Sequence, residues 1–70
     1  MSMKSFTVIN SSQIFIEGRG HMLTETWRMP FMEFLEKYRD CDIYVHSFSP
    51  ESVSAIVIKD VNNLLLLSSN

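Results

Sequence analysis

A lone cysteine in a chain of only 70 residues constrains this fold more than any other feature. A chain that short buries roughly 60% of the surface its unfolded form exposes. Its core rarely supplies more than about 3–5 kcal/mol of net stability. Small domains usually add disulfides, a structural metal or a partner subunit. With Cys41 as the sole cysteine, no disulfide can close within the chain. No spacing among Cys41, His21 and His46 matches a zinc pattern. Cys41 and His46 differ by an odd number, so on a continuous strand they point to opposite faces. A cysteine just after a helix C-terminus gains no thiolate character from the helix dipole, whose sign is unfavourable there. Self-association is the staple left, so a homo-oligomer, most simply a dimer, is expected, with no cofactor and no metal.

Apolar residues make up 46% of the chain and charged residues 20%. That balance suits a single folded domain spanning residues 1–70 rather than disorder. The net charge is −2, and the basic residues Lys4, Arg19, Arg28, Lys37, Arg39 and Lys59 are dispersed. Nothing resembles a basic track for a phosphate backbone. The longest wholly apolar run, residues 64–67, is far short of the roughly 20 residues a transmembrane helix needs. The first six residues carry no apolar core of a secretory signal. Together with the single unpaired cysteine, this leads us to expect a cytoplasmic protein with no membrane partner.

Residues 5–9 and 13–17 are β-rich and separated by the turn-forming Asn10-Ser11-Ser12. They read as two strands, or as one interrupted by a bulge. Gly18-Arg19-Gly20 is the clearest turn, since glycine permits positive φ, and it predicts a hairpin over about 13–28. Residues 16–19 also match the recognition sequence of a tag-removing protease, and Gly20-His21-Met22 resembles a cloning scar. The β pattern of residues 6–16, and the lack of an affinity tag before the site, favour counting residues 1–21 as part of the domain. Pro30 suits the first position of a helix. Phe31, Phe34, Leu35 and Tyr38 follow at i, i+3, i+4 and i+7, one apolar stripe. A helix over 30–40 is predicted, with Glu33 and Lys37 spaced for an ion pair. Strands follow over 43–48, 53–59 and 64–68. The turns between them are Ser49-Pro50-Glu51-Ser52 and Asp60-Val61-Asn62-Asn63. A short helix over 50–59 is the alternative, disfavoured by the β-branched Val53, Ile56, Val57 and Ile58. The expected fold is α+β: a mainly antiparallel sheet of about five strands, ordered ββ-α-βββ, with one helix packed on one face.

Strand parity then points to a binding surface. If Ile14, Ile16, Ile43 and Val45 pack under the helix, Phe15, Tyr44, His46 and Phe48 share the opposite face. A single short helix covers one face only, so that aromatic face would be open to a partner. The alternative is a sheet that curls, or loops that cover it. Arg19 at the hairpin tip and Trp27 before the Arg28-Met29-Pro30 corner are further candidate contacts. For Trp27 the competing reading is a core residue joining strand to helix. Met22, Met29 and Met32 read as core gap-fillers. The carboxylates give no catalytic pair. Glu33 and Glu36 fall on the outer helix face, and Asp40 and Asp42 flank its end. The sequence therefore suggests a small non-catalytic protein-interaction module. The alternative is a single-stranded nucleic-acid binder using the same face, disfavoured by the net negative charge.

Overall fold

The densest run of β-branched residues builds the centre of the molecule. In the computed structural model, which describes residues 5–16, 18, 20–59 and 65–69, β5 (Asp42–Ser49) and β6 (Ser52–Ile58) form a tight hairpin. Its turn is Pro50-Glu51, and the hydroxyls of Ser49 and Ser52 lie 2.9 Å apart across it. Residues 52–58 are thus strand, as their composition favours, and not the alternative helix.

The other strands flank this hairpin. β1 (Thr7–Val8) pairs in parallel with β5, and β4 (Glu25–Trp27) pairs antiparallel with β6, giving the order β1-β5-β6-β4. The chain end follows the same side of β6 as β4. Leu66 bridges Ile58, Lys59 N donates to Leu65 O, and Leu67 N donates to Val57 O. The expected last strand is therefore a short paired segment. Leu64 and the proposed 60–63 turn lie outside the described residues.

Helix α1 (Phe31–Lys37) is shorter than expected, and Pro30 precedes it in extended geometry as its N-cap. Its stripe lands as predicted: Phe34 and Leu35 are buried, and Phe31 and Tyr38 are half-buried. They cover Trp27, Ile43, Val45, Val53, Ala55 and Val57 on one sheet face. In place of the expected Glu33–Lys37 pair, Glu36 pairs with Arg39, just past the end of the helix, at 3.8 Å.

The opposite sheet face is not open. β2 (Gln13–Phe15) and β3 (His21–Leu23) form a separate antiparallel ribbon. Gly18 and Gly20 between them adopt φ of +70° and +80°, the region glycine enters at least cost. The ribbon lays Ile14, Ile16 and Met22 against Tyr44, Ile56 and Ile58, with Ile9 beside them. Ile14 and Ile16 therefore pack on the face away from the helix, a correction to the expected arrangement. The predicted 13–28 hairpin is right for its first part, but the strand breaks at Thr24 and β4 joins the larger sheet. The molecule has three layers: helix, four-stranded sheet and two-stranded ribbon. Ile9, Ile14 and Ile16, upstream of Met22, are thus part of its packing.

Candidate functional site

The residues singled out by strand parity do not assemble into one face. Phe15 is exposed, at 60%, but on the outer surface of the ribbon, where its ring meets His21 edge-on at 5.9 Å. Tyr44 is half-buried beneath that ribbon. His46 is half-buried, and its Nδ1 is enclosed without a hydrogen-bond partner among the described residues. Arg19 lies outside the described residues.

Phe48 departs from parity for a definite reason. The β5–β6 ladder runs Val45 with Ala55, then Ser47 with Ser54, so His46 is an extra residue on β5. Such a bulge shifts every later side chain to the other face. Phe48 consequently pairs with Val53, a helix-side core residue, and turns towards α1 instead of joining Tyr44.

Trp27 proves to be core, 2% exposed and closed off from any surface partner. Its indole packs on Phe34 and Tyr38, with ring centroids 5.2 and 5.8 Å away. Its Nε1 donates to Tyr38 Oη at 3.0 Å. Cys41 is buried in the same cluster.

What the fold does present lies at the helix N-terminal end. Phe48 stacks on Phe31 with centroids 4.3 Å apart and planes within 6°. Phe6 meets the same Phe31 ring edge-on at 5.1 Å. Phe31 stacks in turn on the buried Phe34, at 6.4 Å. An aromatic series thus runs from the core to Phe48, which remains 59% exposed. Pro30, Phe31, Met32, Phe48, Ser49 and Pro50 line an open apolar cleft of about 340 Å³, and Met32 beside it is 63% exposed. Pro30 and Ser49 also belong to a neighbouring cleft of about 600 Å³. That cleft adds the hydroxyls of Thr26 and Ser52 and the charges of Arg28 and Glu51. The helix stripe was legible in the sequence, whereas Phe48, expected beside Tyr44, lies on the other sheet face. Met32, expected as a core gap-filler, is exposed instead because it falls off the buried helix stripe, and Pro30 and Pro50 were missed as neighbours of Phe48 because only the bulge brings its ring beside them.

The arrangement is a hydrophobic notch with a polar, mixed-charge shoulder. Among the described residues, no group of three His, Cys, Asp or Glu side chains could hold a metal, and no helix is long and apolar enough to cross a membrane. Fold and site together define a small α+β domain with a mainly antiparallel sheet. Compared with protein-family models, curated proteins and solved structures, the chain matches none.

Proposed function

We propose that this protein is a small non-catalytic interaction module that binds a protein partner through the Phe31–Phe48 cleft. The observation that carries the reading is the stacked pair itself. Phe48 is held in place by Phe31, yet most of its surface faces water. An aromatic ring ordered in advance loses little freedom on binding, and exposed aromatics in a concave site are the usual anchors of an interface. The Met32 side chain is long and unbranched, so it can adapt to an inserted apolar group. The same reading makes the protein a cytoplasmic regulator or adaptor, in keeping with a single, buried cysteine.

The test is site-specific photo-crosslinking in cells, with the reactive group placed at Met32 and, as control, at Glu36 on the outer helix face. A discrete crosslinked protein from position 32, lost on Phe48→Ala and not seen from position 36, is the expected result. An identical pattern from both positions, or no product from position 32, would refute the reading.

A further inference from the structure

Resting on that reading, we propose that the cleft is occupied by a second copy of this chain. The two copies are related by a two-fold axis, so that Arg28 of each pairs with Glu51 of the other. The carrying observation is that Arg28 and Glu51 line one cleft, yet no ion pair joins them to each other or to any other described residue. Both are exposed, and each holds its charge beside the apolar notch. A two-fold interface must be its own complement. A surface of one sign would repel its copy, whereas one cation and one anion sharing a shoulder beside an apolar notch can match it twice over. A strongly acidic or strongly basic partner would satisfy one of these charges and be repelled by the other.

The shape agrees with the charge. Met32 lines the notch with Phe31, Phe48 and Pro50 and is largely exposed. In a two-fold complex the Met32 of each copy can enter the notch of the other, burying four exposed apolar side chains, Met32 and Phe48 from each copy.

The experiment is sedimentation equilibrium from low micromolar to near-millimolar concentration at low salt, with the variants Arg28→Glu and Glu51→Arg. Because both side chains are exposed, neither change touches the core. Each reversal alone places like charges across both contacts and should weaken dimerisation about tenfold or more. An equimolar mixture of the two variants restores both pairings, one copy supplying two glutamates and the other two arginines. It should form a mixed dimer about as tight as wild type. A wild-type monomer throughout the range, a dimer indifferent to the reversals, or a mixture that fails to recover would each overturn the proposal. Any of these would leave the crosslink from Met32 to a different protein intact, so the two readings fail separately.

Discussion

Tyr38→Phe, Trp27→Phe and the double variant form a cycle that measures how far the core depends on one hydrogen bond. Trp27 Nε1 donates to Tyr38 Oη at 3.0 Å, between a buried indole and a half-buried phenol. Tyr38→Phe keeps the ring that packs on Phe34 but strands the indole N–H. An unsatisfied donor costs about 1–3 kcal/mol, and the half-buried site puts this one at about 1–2. Trp27→Phe removes the donor and leaves a void of about 40 Å³; at about 24 cal/mol per Å³ that is about 1 kcal/mol, before the lost burial and the lost bond. A total of about 2–3 kcal/mol follows, roughly half or more of the stability available to a domain this size. In the double variant neither partner is stranded. Its cost should fall short of the sum of the single costs by about 1 kcal/mol. Urea unfolding followed by far-ultraviolet circular dichroism measures all four proteins without relying on the only tryptophan. Additivity within about 0.5 kcal/mol would show that the bond is not made and refute the reasoning.

Two further outcomes test the layer order and the bulge. Ile56→Ala should cost about 2–4 kcal/mol in the same unfolding assay, because the ribbon buries Ile56 to 2% exposure; a cost well under about 1 kcal/mol would mean that the sheet face lies open. Deleting His46 should leave a regular β5–β6 ladder with Phe48 still opposite Val53, so nuclear Overhauser contacts between Phe31 and Phe48 should persist; their loss would show that His46 is a paired residue of the strand.

Local signals carried most of the fold. The helix was legible because Phe31, Phe34, Leu35 and Tyr38 obey its period and Pro30 marks its start. The glycine turn was legible because Gly18 and Gly20 do adopt the backbone conformation that sets glycine apart. The β6 strand was legible from its branched residues, despite a Ser-Pro start that also suits a helix. What escaped was non-local. Nothing in residues 13–23 says that their apolar side covers Ile56 and Ile58 instead of packing under the helix, since either face would be equally buried. Nothing in residues 21–28 separates a continuous strand from two strands interrupted at Thr24. The parallel pairing of Thr7 and Val8 with Tyr44 and Val45 depends equally on distant partners.

The candidate site escaped for a narrower reason, and that reason explains why it exists. Alternation along β5 places Tyr44 on the ribbon side, and without interruption it would send Phe48 the same way. One extra residue, His46, reverses the last part of the strand. Reversal lets the Phe48 ring stack on Phe31 and extends the aromatic series beyond the edge of the helix. The helix begins only at Phe31, too late to cover the displaced ring. The exposed aromatic therefore results from a short helix meeting a bulged strand. Its packing reaches back to the core through Phe31 and Phe34, while its exposure comes from the end of the helix. A surface built in that way holds its shape without a partner and still has apolar area left for one to cover.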